Sequence, residues 1–174
     1  MYDLVIRSGL VYDGLGGEPF QADLAVKDGV IVSIGEISEQ GKKEIDAKGL
    51  CVTPGFIDSH SHSDNNLLTY PEQIEKVEQG ITTSVAGMCG SSIYPNAKEN
   101  PGGDSFLDKY ETMGELLSRA DSIAQGSNTA IFVGHRNLRS SVMGMENRAP
   151  TEDEMNEMKA LLRDGIENGA LGVS

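Results

Sequence analysis

The chain has 174 residues, of which 38% are hydrophobic and 24% are charged, a composition typical of a soluble folded domain. Its 27 acidic and 14 basic side chains give a formal net charge of −13, which argues against a nucleic-acid partner because phosphate binding requires clustered Lys and Arg. No stretch approaches the roughly 18 to 20 apolar residues that span a bilayer, and the N-terminus lacks the features of a signal peptide, so we expect no membrane partner and a cytoplasmic location.

Residues 1–52 alternate short runs rich in Val and Ile with turns of Gly, Asp and Lys, a pattern that predicts a small β module. The sequence KDG at positions 27–29 lies between two apolar runs and is typical of a tight hairpin turn. Cys51 lies in the last apolar run, and we interpret it as a small buried core residue.

After Pro54 and Gly55 the pattern changes to strands that alternate with helices. Four strands are predicted, at GFIDSH (55–60), ITTSVAGMCG (81–90), TAIFVGH (129–135) and ALGVS (170–174). This alternation predicts right-handed βαβ units with a parallel sheet. Four strands make either a small open sheet or the first half of an eight-stranded barrel, and a chain that stops within its fourth strand favours the half barrel.

Three helices separate these strands. The first is predicted at 69–80, where Thr69 and Glu72 have the spacing of a capping box. The second is predicted from an apolar stripe between Phe106 and Ala124. The third follows Thr151, which has Glu154 three residues later in a second capping box.

Two of the three histidines of the chain lie one residue apart in PGFIDSHSHSD (54–64). Residues i and i+2 of a strand share one face, so in an extended 56–62 segment His60 and His62 project the same way. This geometry suits a metal ion, although a solvated strand end produces it as well. Asp58 lies on the same face as the two histidines. Its role there is either a hydrogen bond to a metal ligand or ordinary packing of the strand end.

The order of these motifs resembles the amidohydrolase superfamily and, within it, the D-aminoacylase group (N-acyl-D-amino-acid deacylases). The resemblance is carried by DLVIRSGLVYDG (3–14), PGFIDSHSHSD (54–64), GITTSVAGMCGSS (80–92), FVGHRNLR (132–139) and GALGVS (169–174). It implies an α/β fold in which residues 1–52 form the N-terminal part of a β-sandwich and residues 53–174 form the first four βα units of a (β/α)8, TIM-like barrel. Two departures are Met88, where the group usually has Asn, and Arg136, where it usually has Gly.

The resemblance also implies one or two zinc ions, with His60, His62 and the thiolate of Cys89 as ligands. The alternative for Cys89 is a small buried side chain. Related enzymes bridge two metals with a lysine of the fourth strand, and because ALGVS has no lysine, a thiolate that bridges the metals would fill its place. The remaining ligands of the family, two histidines and an aspartate that acts as general base, are expected beyond residue 174.

Three further residues are candidates for lining the substrate. His135 ends the predicted third strand at the barrel mouth, where it either donates a hydrogen bond to the substrate or is an ordinary surface histidine. Arg139 is a candidate for helping to hold a carboxylate. Asp64 follows the histidine pair and is a candidate either for a hydrogen bond behind the ligands of the site or for capping a loop.

The resemblance implies a zinc-dependent hydrolase of a linear amide, with a small N-acyl-D-amino acid as substrate. A cyclic-amide or dipeptide hydrolase of the same superfamily is the alternative within hydrolases, and a non-catalytic α/β module that keeps the motifs is the alternative outside them. We expect the 174 residues alone to be inactive, and to self-associate through an unpaired fourth strand.

Overall fold

The structure is a computed structural model that describes residues 1–95 and 110–174. The chain divides into two compact units, Met1–Pro54 and Gly55–Ser174. Among the described residues, no helix combines the length and the apolar character needed to cross a membrane.

The first unit is a five-stranded sheet. Its strands are β1 (Tyr2–Val11), β2 (Phe20–Lys27), β3 (Val30–Gly35), β4 (Gly41–Asp46) and β5 (Cys51–Val52). The order is β3-β2-β1-β4, and β5 also pairs with β1. The β1–β2 and β2–β3 pairs are antiparallel, whereas β4 and β5 run parallel to β1.

Local backbone chemistry explains the details of this sheet. Asp28 and Gly29 both have positive φ, 52° and 77°, as a two-residue turn between twisted strands requires, so the predicted KDG hairpin is confirmed. β1 is one continuous strand with a register shift around Ser8, whose φ is 55°. Cys51 is exposed, so its predicted core position is wrong: it lies in a two-residue strand that pairs only with the end of β1.

Arg7 of β1 connects several segments of the first unit. Its guanidinium donates to the Asp23 carboxylate at 3.0 Å, to the Glu44 carboxylate at 2.8 Å, to the carbonyl of Glu39 at 2.8 Å and to the carbonyl of Ile37. The hydrogen bond from Arg7 is the main reason why the pKa of Glu44 lies below its usual value.

The second unit contains a parallel three-stranded sheet with the order β6-β7-β8. Its elements are β6 (Phe56–Asp58), a 3-10 helix (Ser63–Asn66), α1 (Ile74–Val77), β7 (Ile81–Ala86), α2 (Met113–Asp121), β8 (Asn128–Ile131), α3 (His135–Met143) and α4 (Glu152–Glu167). Buried side chains from the strands, the helices and the loops between them form one core, which includes Leu68, Tyr94, Met113, Leu116, Ile131, Val133, Leu138 and Met158.

The predicted fourth strand is present only as a short extended segment. Leu171 donates its N–H to the carbonyl of Ile131 at 2.9 Å, and Ser174 donates to Val133 at 3.1 Å. Val133 and Val173 form a single parallel bridge. The end of the chain therefore continues the parallel order beside β8 without forming a full strand.

The capping-box prediction at Thr151 and Glu154 is confirmed by reciprocal hydrogen bonds at the start of α4. The prediction at Thr69 is wrong, because α1 begins only after Gln73, whose φ is 41°. The carbonyl of Pro71 accepts the N–H of Gly126 at 2.8 Å, so a tertiary contact replaces the helical hydrogen bond at that position.

The second predicted helix is shorter than its apolar stripe. Thr112 accepts the N–H of Glu115 as the N-cap of α2, and the helix covers only Met113–Asp121. Phe106, where the predicted stripe begins, lies outside the described residues.

Candidate metal centre

The two histidines lie in the loop that follows β6. The strand ends at Asp58, so the prediction that His60 and His62 project from an extended strand is wrong. The N–H of Ser61 donates to the carbonyl of Val85 at 2.9 Å, which keeps this loop beside the end of β7. The ring centroids of His60 and His62 are 6.2 Å apart, with an angle of 66° between the ring planes.

Cys89 lies in the turn that follows β7. Its φ is 56°, in the left-handed region that L-residues other than Gly rarely adopt, and Gly87 and Gly90 beside it both have a φ of 74°. A left-handed conformation at a residue other than Gly costs on the order of 1 kcal/mol or more, and such residues are concentrated at functional sites. The turn presents the Cys89 thiol at the same end of the sheet as the histidines.

The three side chains converge. The Sγ atom of Cys89 is 3.2 Å from Nε2 of His60, and the potential ligand atoms of His60, His62 and Cys89 all lie within 4.8 Å of one another. No other group of three His, Cys, Asp or Glu side chains in the described ranges has such spacing. In a tetrahedral zinc site the ligand atoms are separated by about 3.3 to 3.7 Å, so small side-chain rotations bring these three to zinc distances.

The chemistry of the donors also fits zinc, which is commonly bound by neutral imidazole and thiolate. All three residues are exposed, so an ion can reach them from solvent. The residues present therefore fit a zinc ion.

The Cys89 turn is held by its neighbours. Ser174 donates its hydroxyl to the carbonyl of Gly87 at 2.6 Å and accepts the N–H of Gly90 at 3.1 Å. The N–H of Arg136 donates to the carbonyl of Gly90 at 2.8 Å. The role of Ser174 was not predicted, because a single serine at the end of an apolar run carries no signal in the sequence.

The histidine loop is held by Lys76, which sequence reasoning also missed. Its ammonium group donates to Oδ2 of Asp58 at 2.7 Å, to Oγ of Ser61 at 2.8 Å and to Oγ of Ser84 at 2.9 Å. The other carboxylate oxygen of Asp58 accepts the N–H of His60 at 3.3 Å. The hydrogen bond from Lys76 is the main reason why the pKa of Asp58 is lowered.

Asp64 lies beneath the site and does not line an open surface, which corrects its predicted position. It is only 1% exposed, and its Oδ2 accepts the N–H of Ile93 at 3.0 Å. Burial raises the pKa of this carboxyl group. Asp64 therefore connects the segment after His62 to the segment after Cys89.

His135 begins α3 and does not end a strand, which corrects the prediction for that residue. Gly134 is the N-cap, and its carbonyl accepts the N–H of Leu138 at 3.0 Å, so GHRNLR starts a helix directly after the end of the sheet. His135 is exposed, and with Arg139 it lines a surface depression of about 300 Å³. The guanidinium of Arg139 donates to two carbonyls of the loop after α3, so it orders that loop.

Comparison with known proteins identifies the class of protein. Residues 43–174 match the amidohydrolase family, which covers more than half of the chain. The chain therefore belongs to the amidohydrolase family.

Comparison with individual proteins shows which members of this family the chain resembles. The chain is 41% identical to the N-acyl-D-aspartate deacylase of Alcaligenes xylosoxydans xylosoxydans, over 99% of this chain and 36% of that protein. A D-aminoacylase structure from a study of its binuclear metal centre is similar with a TM-score of 0.90 and 36% identity, over 99% of this chain and 38% of the other. The N-acyl-D-glutamate deacylase of Bordetella bronchiseptica, complexed with zinc and a phosphonate inhibitor, gives a TM-score of 0.88 at 36% identity over the same fractions.

These similarities confirm the predicted resemblance to the D-aminoacylase group and the mixed α/β fold. The chain spans little more than a third of the length of these relatives.

Proposed function

We propose that this chain supplies part of the active site of a zinc-dependent hydrolase of linear amides, an N-acyl-D-amino-acid deacylase. The observation that carries the proposal is the convergence of His60, His62 and Cys89 at the ends of β6 and β7. Relatives named as deacylases of N-acyl-D-aspartate and N-acyl-D-glutamate support the substrate class, and a zinc-complexed relative supports the metal.

The domain assignment is part of the same proposal. Residues 1–52 would be the N-terminal part of a β-sandwich, and residues 53–174 the first four βα units of a (β/α)8 barrel. The parallel order β6-β7-β8, with an extended segment at 171–174 beside β8, supports the barrel assignment. Such barrels carry their chemistry at the C-terminal ends of the strands, which is where the three candidate ligands lie.

Each residue near the cluster has a defined role in this proposal. The imidazoles of His60 and His62 and the thiolate of Cys89 hold one or two zinc ions. Zinc in this position would supply Lewis-acid polarisation of the scissile carbonyl and would activate a water for attack. His135 is exposed at the start of α3, where its ring donates a hydrogen bond to the substrate, and Arg139 orders the adjacent loop and adds positive charge near the substrate carboxylate.

The general base is not provided by the carboxylates beside the cluster. Asp58 is paired with Lys76, and Asp64 is only 1% exposed, so neither carboxylate is open to the cluster. General-base catalysis typically contributes 10² to 10⁴ in rate. We therefore propose that the 174 residues alone show no amide turnover. An amine-release assay on N-acyl-D-aspartate and N-acyl-D-glutamate with added zinc tests this, and zinc-dependent turnover contradicts it.

Self-association of this chain is a further part of the proposal. Phe56 and Ile57 of β6 and Leu171 of the last segment are each more than half exposed. Exposed apolar side chains beside an unpaired sheet edge favour association between copies. Light scattering at increasing concentration tests it, and a constant monomer mass contradicts it.

Zinc binding by the chain itself tests the metal site directly. Cys89→Ala removes the only thiolate of the cluster and is expected to weaken zinc binding by about 100-fold or more, since even partners behind the ligands change affinity 10- to 100-fold. Cys51→Ala is the matched control, because Cys51 is also an exposed free thiol but belongs to the first compact unit. Equal zinc affinity in the two variants would refute the assignment.

A further inference from the structure

Lys76 is a largely buried cation in the second compact unit. Its side chain is 13% exposed, whereas Lys42, which pairs with Asp3 on the first unit, is 66% exposed. Burying an ammonium group is costly unless its donors are satisfied. Lys76 has three N–H donors and three acceptors within 2.9 Å, so every donor is used.

The three acceptors belong to three different segments. Asp58 ends β6, Ser84 lies within β7, and Ser61 lies between the two candidate histidine ligands. The ammonium group of Lys76 therefore fastens the histidine loop to both strands at once. With all donors occupied, Lys76 has none left for a substrate.

The position of Ser61 explains how this contact reaches the ligands. The hydroxyl of Ser61 accepts hydrogen bonds from Lys76 and from the N–H of Ser63, the latter at 3.1 Å. The main-chain N–H of Ser61 donates to the carbonyl of Val85. Main chain and side chain of Ser61 are therefore both fixed. Because His60 and His62 flank Ser61, the directions of both imidazoles depend on this anchor.

A second route leads to His60 alone. Asp58 uses one carboxylate oxygen for Lys76 and the other for the N–H of His60. The two oxygens of the Asp58 carboxylate therefore link the ammonium group of Lys76 to the main chain of His60.

We propose that Lys76 is a positioning residue that pre-organises His60 and His62 for metal binding without touching the metal. This inference rests on the proposed function only in taking His60, His62 and Cys89 as the metal ligands. Partners behind the ligands typically change metal affinity 10- to 100-fold, because an unordered ligand pair must be ordered when the ion binds. The same range is expected for the loss of the Lys76 anchor.

The first test replaces Lys76 by an uncharged side chain of similar length. Lys76→Met is expected to weaken zinc binding by about 10-fold or more, measured by competition with a chromophoric chelator. Lys42→Met is the control for the same chemical change at an exposed ion pair, and it is expected to leave zinc affinity unchanged.

The second test keeps the ion pair and removes a serine hydroxyl that accepts a hydrogen bond from Lys76. Ser61→Ala and Ser84→Ala each delete one acceptor of Lys76, but only Ser61 lies between the histidines. Ser61→Ala is expected to weaken zinc binding several-fold, and Ser84→Ala is expected to weaken it less, because Ser84 holds Lys76 but lies outside the histidine loop. In the Ser61→Ala background, Lys76→Met should weaken zinc binding by a smaller factor than in the parent, because the effects of two coupled residues do not add.

A spectroscopic readout separates positioning from general destabilisation. With Co²⁺ in place of Zn²⁺, the d–d and thiolate charge-transfer bands are expected to change in Lys76→Met and Ser61→Ala but not in Lys42→Met. If Lys76→Met is folded and binds both ions as the parent does, the proposal is overturned. If Lys76→Met does not fold, Ser61→Ala decides: parent-like affinity and spectrum in that variant overturn the proposal.

The outcome for Cys89→Ala distinguishes this inference from the proposed function. If Cys89→Ala binds zinc as the parent does, the metal site itself is wrong. If Cys89→Ala loses zinc while Lys76→Met and Ser61→Ala keep it, the site stands and only the role of Lys76 is wrong.

Discussion

Arg7 and Lys76 are each the centre of a hydrogen-bond network, one in each compact unit. Arg7 joins the sheet of the first unit to the carbonyls of Ile37 and Glu39, in the segment between β3 and β4. Lys76 joins two strands to the loop that carries the candidate ligands. Both cations connect segments that are far apart in sequence, but only Lys76 is hydrogen-bonded to the loop that carries the candidate ligands.

The two networks also use different chemistry. A guanidinium has five donors in a fixed plane and suits several carboxylate and carbonyl partners spread over a sheet. An ammonium has three donors at one point and suits a compact junction. The difference indicates that Arg7 contributes mainly to the stability of the first unit, whereas Lys76 contributes to the geometry of the candidate metal centre.

The largest expected effect comes from the turn that carries Cys89. Gly87 has a φ of 74°, and a Cβ there would lie 2.2 Å from the carbonyl oxygen of Phe132. Gly87→Ala should reduce the free energy of unfolding by about 3 kcal/mol and displace Cys89, because both backbone strain and overlap are introduced.

Gly16 is the matched control in the first unit. Its φ is 81°, but nothing lies within 4 Å of the added Cβ. Gly16→Ala should therefore cost only about 1 kcal/mol from the backbone conformation. Chemical denaturation of both variants measures the difference, and equal losses would show that the packing around Gly87 is misassigned.

The next effect separates the two networks. Arg7→Met removes all the hydrogen bonds that the guanidinium makes, so the thermal midpoint of unfolding should fall by several degrees while zinc affinity is unchanged. Lys76→Met should do the reverse: it should lower zinc affinity clearly and lower the thermal midpoint less than Arg7→Met does. Calorimetry and zinc titration on both variants test this, and a loss of zinc affinity in Arg7→Met would remove the distinction.

The smallest effect concerns acid sensitivity at the start of α4. The ion pair with Arg148, together with the N–H of Thr151, lowers the pKa of Glu154 to about 2 from its usual 4.5. Because the pKa is lowered in the folded state, the stabilisation is fully present above pH 4.5 and is lost as the pH falls towards 2. Unfolding measured across this range should depend less on pH in Glu154→Gln, and an unchanged pH dependence would contradict the assignment.

Several features of both units could be predicted from local sequence. The Asp28-Gly29 turn and the Thr151 capping box depend on residues within a few positions, and both are confirmed. The order of motifs was also sufficient to identify the family. The turn and the capping box have local causes, and the family is indicated by the order of its motifs.

Other features could not be predicted, because they depend on contacts between distant segments. The partners of Lys76 lie 8 to 18 residues away and meet it only when α1 packs beside β6 and β7. The hydrogen bond from Gly126 to Pro71, just before the late start of α1, also joins segments that are far apart in sequence. The helix that begins at His135 was missed because its N-cap, Gly134, has no side chain that marks a helix start.

The central claim is that His60, His62 and Cys89 together bind zinc. X-ray absorption at the zinc edge, on the chain loaded with one equivalent of zinc, measures the ligand atoms directly. We expect one sulfur at about 2.3 Å and two imidazole nitrogens at about 2.0 to 2.1 Å. The sulfur signal should vanish in Cys89→Ala and persist in Cys51→Ala. A zinc shell without sulfur in the parent chain would contradict the claim.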